Sequence, residues 1–241
     1  MRRSRKRGAD RRGKTLLRTE AGWRFAPRRC SPYIGRMKSR HISGPGSGSG
    51  EVPVVGLRII GGKLRGRKLQ YSGDLRTRPM KDRVREAVFN LLGPGVAGAR
   101  AIDLFAGTGA LGLEAVSRGA ATATLIERHL PTARLIEQNV TALGVQGQIE
   151  VVFGDAFVWT DRFQPIEGRL LTVFISPPYD FYVDRQQDML KLIARWVSSA
   201  PSGSQVMVET DERFDTGLLP EPTQWDVRNY LPAVVAILHK E

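Results

Sequence analysis

Asp103-Leu104-Phe105-Ala106-Gly107-Thr108-Gly109-Ala110-Leu111-Gly112 decides the fold of this 241-residue chain. The apolar run Ala101 to Phe105 reads as a buried strand, and a helix from about Ala110 to Arg118, stopped by Gly119, follows it. Between them the glycines let the backbone approach a ligand closely, and the helix N-terminus offers unpaired N–H groups. Gly107-x-Gly109-x-x-Gly112 satisfies the dinucleotide fingerprint, and Glu127 stands twenty residues beyond Gly107, placed to accept from ribose hydroxyls. The motif alone fits NAD and S-adenosylmethionine equally, because both carry an adenosine.

Strands and helices alternate outward from this point. Thr122 to Ile126 is a second strand, and its helix opens at Pro131 and closes at Gly144. Ile149 to Phe153 is a third strand and Leu170 to Ile175 a fourth. A helix over about Arg185 to Ser199 leads to a fifth strand, Gln205 to Glu209. Runs at Gln224–Asn229 and Ala233–His239 close the chain as an antiparallel hairpin. Upstream, Lys81 to Leu92 is a helix with Val84, Ala87, Val88, Leu91 and Leu92 on one face, ended by Gly93-Pro94. Arg83 and Arg85 lie off that stripe as solvated charges, unless this helix edges the active site. The class is α/β: a seven-stranded, mostly parallel, doubly wound sheet with helices on both faces.

Ser176-Pro177-Pro178-Tyr179 follows the fourth strand directly. A proline pair also simply ends strands, but here it fixes the backbone at the edge where α/β sheets bind ligands. A hydroxyl, the Pro177 carbonyl and an aromatic ring presented together suit a flat base with an exocyclic amine: the amine donates twice while the ring stacks. Two carboxylates then separate the cofactors. Asp103, four residues before the first motif glycine, would oppose a pyrophosphate but accept from an α-ammonium group. Asp155, in Gly154-Asp155-Ala156 after the third strand, is placed to receive an adenine amino group or to cap a helix. These favour S-adenosyl-L-methionine over NAD.

Charge is divided along the chain. Residues 1–50 hold 15 Lys/Arg and 2 acids (net +13), residues 51–85 hold 10 and 3 (net +7), and residues 86–241 hold 12 and 19 (net −7). Such a layout suits a polyanion gripped upstream of an acidic catalytic domain. Residues 1–52 read as a basic, disordered arm ending in the Gly/Ser linker Ser43–Gly50. Three readings of the arm stand open: an RNA-contacting segment, a transit peptide, and a mis-chosen start with Met37 as the true beginning. Residues 53–80 form a substrate-contact extension, and 81–241 the main domain. Within the extension, Arg58-Ile59-Ile60, the turn Gly61-Gly62 and the return strand Lys63–Gln70 make a basic β-hairpin. Its cations Arg58, Lys63, Arg65, Arg67 and Lys68 repel one another unless phosphates relieve them. Cys30 is the only cysteine, and His41, His129 and His239 show no metal-ligand spacing, so neither a disulfide framework nor a metal is expected. No apolar stretch is long enough to span a bilayer, so a cytoplasmic protein is expected.

Asp103-x-Phe105-x-Gly107-x-Gly109 with Ser176-Pro177-Pro178-Tyr179 resembles the Rossmann-like class I amino-methyltransferases. Arg58–Arg67, Arg78-Pro79-x-x-Asp82-Arg83-Val84-Arg85-Glu86 and Asp103–Ala120 narrow the resemblance to the RsmD-type family of bacterial 16S ribosomal RNA guanine-N2 methyltransferases, over about residues 57 to 240. The resemblance implies that Asp103, Phe105, Gly107 and Gly109 line the methionine side of S-adenosylmethionine, that Glu127 holds the ribose, and that Asp155 and Ala156 meet the adenine. Ser176, Pro177, Pro178 and Tyr179 would hold the guanine. Arg58, Lys63, Arg65, Arg67, Lys68, Arg78 and Arg83 would lie beside the RNA or the assembling small ribosomal subunit, met by a monomer. The chain departs from that pattern at Ser176, where the family carries Asp or Asn, so orientation rather than base catalysis is expected there. Met80-Lys81 also replaces the commoner Thr-Thr. Competing readings are an adenine-N6 or DNA methyltransferase, a non-catalytic RNA-binding protein, and an NAD-dependent dehydrogenase.

Overall fold

The computed structural model describes residues 56–241 apart from 75, 76, 78 and 165–167, together with the backbone of 7–9, 15–19 and 22–25. It divides into two units, Met1–Gly50 and Glu51–Glu241. In the first, β1 (Arg7–Ala9), β2 (Thr15–Thr19) and β3 (Gly22–Phe25) form an antiparallel sheet in that order. The sequence reading expects no regular structure at these three stretches. Average composition dilutes the short apolar pairs Leu16-Leu17 and Trp23/Phe25 within so many arginines. The Gly/Ser linker lies outside the described residues.

The second unit is built on one sheet. In chain order its elements are α1 (Asp82–Leu92), β4 (Arg100–Asp103), α2 (Ala110–Ser117), β5 (Thr122–Glu127), α3 (Leu130–Leu143), β6 (Ile149–Phe153) and α4 (Ala156–Arg162). There follow β7 (Leu171–Ile175), α5 (Phe181–Asp184), α6 (Gln186–Ser199), β8 (Gln205–Asp211), β9 (Trp225–Tyr230) and β10 (Ala233–His239). The strand order is β6-β5-β4-β7-β8-β10-β9; the first five run parallel, and β10 is antiparallel to both β8 and β9. The inner strands β4, β5, β7, β8 and β10 are buried and mostly apolar because both faces are covered, while the edge strands β6 and β9 are partly exposed. Period two then divides each run between two cores. Phe174, Met207, Val235 and Ile237 face a layer with Val88 and Phe89 of α1, Leu113 of α2 and Ile136 of α3. Val173, Ile175, Val206, Val208 and Ala236 face Met189, Ile193 and Trp196 of α6.

Two short helices were not expected, α4 and α5. Each spans two turns or fewer, too little for a hydrophobic period to register. A third difference concerns residues 57–70. Antiparallel pairing shrinks to one bridge, Arg58 to Lys68, and Gly62–Leu64 forms a 3-10 turn where a return strand was expected to begin. The cause is side-chain competition from α2. The buried Glu114 carboxylate accepts from the backbone N–H of Ile60 (2.8 Å) and Gly61 (2.6 Å), and Ser117 Oγ accepts from Leu64 N–H (2.9 Å). Gly62 sits at φ +74°, and a Cβ there would fall 1.9 Å from the Ser117 carbonyl oxygen, so only glycine fits this approach.

Arg85 corrects another expectation, for it is fully buried while Arg83 is exposed. Its guanidinium donates to the carbonyls of Arg58 (2.6 Å) and Met80 (3.2 Å) and to Asp82 Oδ1 (3.0 Å), and its Nε lies 3.8 Å from Glu114. Arg118 donates to the same Glu114 at 2.9 Å. Burial draws the Arg85 pKa down while Glu114 and Asp82 oppose that shift. Glu114 thus gathers two backbone amides and two guanidinium groups, fastening the N-terminal extension to the sheet domain. Replacing Glu114 by Ala strands those donors in the interior and should lower the unfolding free energy by about 3 to 5 kcal/mol in urea titrations. A loss below about 1 kcal/mol would show that the carboxylate does not fasten the segment.

Candidate active site

The parallel strands all end at one edge, and a cavity of about 660 Å³ opens there. Its lining draws on the ends of five strands: Phe105 and Gly107 after β4, Glu127 of β5, Asp155 and Ala156 after β6, Ser176 to Tyr179 after β7, and Glu209 of β8. Nine of the residues singled out in the sequence therefore share one wall: Phe105, Gly107, Glu127, Asp155, Ala156, Ser176, Pro177, Pro178 and Tyr179. This is the crevice at the carboxyl ends where α/β sheets take their ligands.

On the glycine-loop side, Glu127 is buried, with Oε2 accepting from Gly107 N–H (2.8 Å) and Oε1 from His129 N–H (2.7 Å). Two backbone amides hold that carboxylate in one orientation, and each oxygen keeps a second lone pair for a hydroxyl donor. Asp155 is the N-cap of α4, its Oδ1 accepting from Phe157 N–H (2.9 Å) and Val158 N–H (3.2 Å). Capping and cavity lining are thus combined in one side chain. Gly109, at φ +76°, starts α2, and a Cβ there would meet Ile136 at 2.9 Å; it shapes the loop from behind and is not on the cavity wall.

Asp103 also lies behind the loop, 1 % exposed and off the cavity wall. Its Oδ2 accepts from Gly112 N–H at 3.2 Å. The Phe105 amide leans toward the carboxylate, yet Oδ1 has no well-aligned donor among the described residues. Burial pushes this carboxyl up to about 7, with Glu127 adding to the rise and the Gly112 bond opposing it. A buried acid poised in this way awaits a cation or a donor.

On the other side, β7 pairs with β8 so that Ile175 lies opposite Val208, which sets Ser176 beside Glu209. Ser176 Oγ donates to Glu209 Oε2, and Tyr179 Oη donates to Glu209 Oε1 at 2.8 Å. Glu209 is 5 % exposed, and burial raises its pKa while the two hydroxyl bonds lower it. The sequence reading passed over Glu209. Its signal was present: a carboxylate ending the apolar run Val206-Met207-Val208, on a strand whose neighbour carries the proline pair. Also unforeseen are the aromatic contacts beside Phe105, which meets Phe157 and Phe181 edge-on at 6.0 Å each, and the wall residues Arg213 and Tyr230.

The basic segment sits elsewhere. Lys63 Nζ donates to Gln148 Oε1 (3.0 Å), and Arg67 donates to the Ala142 carbonyl (2.9 Å), at the end of α3 and just before β6. Its turn thus packs at the amino edge of the sheet, away from the cavity. Arg58 pairs with Asp82 at 3.2 Å, and Arg65 and Lys68 are exposed. None of Arg58, Lys63, Arg65, Arg67, Lys68 and Arg83 lines the cavity, whereas Thr77, Pro79 and Met80 do. Arg78 lies outside the described residues. Among the described residues no group of His, Cys, Asp and Glu could hold a metal ion, and no helix is long and apolar enough to cross a membrane.

The family described as "Conserved hypothetical protein 95" matches residues 57–230. The chain is 34% identical over 181 residues to the ribosomal RNA small subunit methyltransferase D of Escherichia coli strain K12, covering 75% of this chain and 84% of that one. It is 33% identical over 159 residues to the protein of the same name from Haemophilus influenzae, covering 65% and 79%. The solved structure of the Escherichia coli protein yhhF superposes with a TM-score of 0.63 at 32% identity, over 77% of this chain and 98% of that one. The chain belongs to the family of the ribosomal RNA small subunit methyltransferase D proteins.

Proposed function

We propose that this protein transfers a methyl group from S-adenosyl-L-methionine to the exocyclic N2 of a guanine in small-subunit ribosomal RNA. One observation carries the reading: a proline-braced hydroxyl and ring share a single cavity with a carboxylate fixed for a ribose. The residues present fit the cofactor. Glu127 keeps acceptor capacity for ribose hydroxyls, Asp155 and Ala156 stand where an adenine amine would arrive, and the buried Asp103 offers an acceptor for an α-ammonium group. A pyrophosphate would meet two carboxylates, Glu127 and Asp155, on this half of the cavity wall, with Asp103 buried behind it, which disfavours NAD.

When bound, S-adenosylmethionine supplies a methyl group already activated on a sulfonium. The protein's task is therefore placement and charge. The lone pair of an arylamine is delocalised into its ring, so the nitrogen is a poor nucleophile. Ser176 and the Pro177 carbonyl accept its N–H bonds and raise the density on nitrogen, while Tyr179 stacks on the base and fixes its approach. The base must be unpaired or turned out of its helix to reach this edge. Arg65 and Lys68 of the extension supply phosphate contacts away from the reacting atoms, and the arginines of residues 1–50 add positive charge for the same partner. The protein is expected to work in the cytoplasm as a monomer, on ribosomal RNA or the assembling small subunit.

Transfer of labelled methyl groups to ribosomal RNA, followed by nucleoside analysis, tests the reading. The expected product is N2-methylguanosine; label appearing in N6-methyladenosine, or only in DNA, would contradict it. Removing residues 1–50 should weaken RNA binding and flatten its dependence on salt, measured by titration at several ionic strengths, and leave cofactor affinity unchanged. Asp103 adds a pH signature. Its carboxyl is raised to about 7, and only the ionised form attracts an ammonium group. Calorimetry should show cofactor affinity rising as pH increases through about 7, with proton release on binding; Asp103→Asn should flatten the rise. An unchanged slope in that variant would remove Asp103 from cofactor recognition.

A further inference from the structure

We propose that Glu209 is the terminal proton acceptor of the methyl transfer, working through Ser176, and that it replaces the carboxylate which this chain lacks at position 176. The proposal rests on the amine-methylation reading above and deepens it. Ser176 Oγ directs its proton at Glu209 Oε2, so the oxygen lone pairs are left for the target amine. A serine without such a partner would be only a weak acceptor. A serine whose hydroxyl is already drawn toward a carboxylate gains basicity as its proton moves away.

The bond between N2 and the methyl carbon forms as the bond from that carbon to sulfur breaks, and its electron pair stays on sulfur. Positive charge then develops on N2. Its proton passes to Ser176 Oγ as the proton of Ser176 passes to Glu209 Oε2. The products are the neutral methylated amine, the thioether, serine unchanged and Glu209 as a carboxylic acid. Later loss of that proton to solvent through the open cavity resets the site. The same carboxylate accepts from Tyr179 Oη at 2.8 Å, so the residue that takes the proton also orients the ring that stacks on the base.

The surroundings favour a proton on Glu209 once it arrives. Ser176 and Tyr179 face it from the loop after β7; the buried Tyr182 of α5 has its phenol pushed upward chiefly by burial, with the Glu209 charge adding to the rise. Val235 of β10 lies opposite it in the sheet and brings no charge. Arg213 lines the same cavity but is engaged by Asp211 (2.8 Å) and Asp180 (3.0 Å). Lys81 and Arg128 also line the cavity, and the Arg128 guanidinium sits over the Phe181 ring at 5.4 Å. Burial raises the Glu209 pKa, which suits a group that must be ionised before the step and protonated after it.

Because the ionised form is needed, the rate should fall as pH drops through the Glu209 pKa. Single-turnover methyl transfer to ribosomal RNA, measured across pH for the wild-type protein, Glu209→Gln, Ser176→Ala and the double variant, tests this. Glu209→Gln should slow the step by about 100-fold and abolish the acid limb, with the dissociation constant for S-adenosylmethionine held within about twofold. Ser176→Ala should lose the same limb, and the double variant should be no slower than Glu209→Gln alone. A Glu209→Gln protein with a wild-type rate and limb would overturn the relay, as would additive losses in the double variant or a limb retained in Ser176→Ala. If the wild-type protein itself transferred no methyl group to RNA, the amine-methylation reading would fail first and the relay with it.

Discussion

Parallel hydrogen bonding of β7 between β4 and β8 is the constraint on which the site depends. Asp103 lies opposite Phe174 and Ile175 opposite Val208, so the glycine loop, Ser176 and Glu209 emerge side by side from one sheet edge. Ser176 and Glu209, 33 positions apart in sequence, are thereby set within hydrogen-bonding reach. A slip of one residue would turn Ser176 away from Glu209 and reverse both apolar faces of the strand, a cost the two cores do not permit. The proline pair adds rigidity where the ladder ends, because neither residue can extend the pairing.

The two edges of the sheet carry different work. Carboxylates collect at the carboxyl edge, in Asp103, Glu127, Asp155 and Glu209, and suit hydroxyl, ammonium and amine donors. Cations of the N-terminal extension are tied to the amino edge through Gln148, Ala142 and the Glu114 clamp. Phosphate contacts of the proposed kind would therefore form at the edge opposite the cavity.

Much of this architecture was legible in the residues. Apolar runs marked the central strands β5, β7 and β10, and Ile149–Phe153 coincides with β6 at both ends, whereas the edge strand β9 alternates with polar residues. The helix periodicity of Val84, Val88 and Leu92 located α1 but hid Arg85, because a cation on the buried face breaks the pattern rather than announcing itself. α4 and α5 were too short to show a period. Glu114 and Glu209 were missed for one shared reason: their partners, Ile60, Gly61, Ser176 and Tyr179, lie close only after the strands have been ordered. Asp155 was legible in two ways, as cap and as ligand group, and the structure accommodates both in one residue.

A crystal structure of the protein with S-adenosylhomocysteine tests the central claim most directly. The ribose should rest on Glu127, the adenine beside Asp155 and Ala156, and the sulfur should point at the wall formed by Ser176, Pro177 and Tyr179. A cofactor bound elsewhere, or bound here with its sulfur turned away from Ser176, would contradict the account.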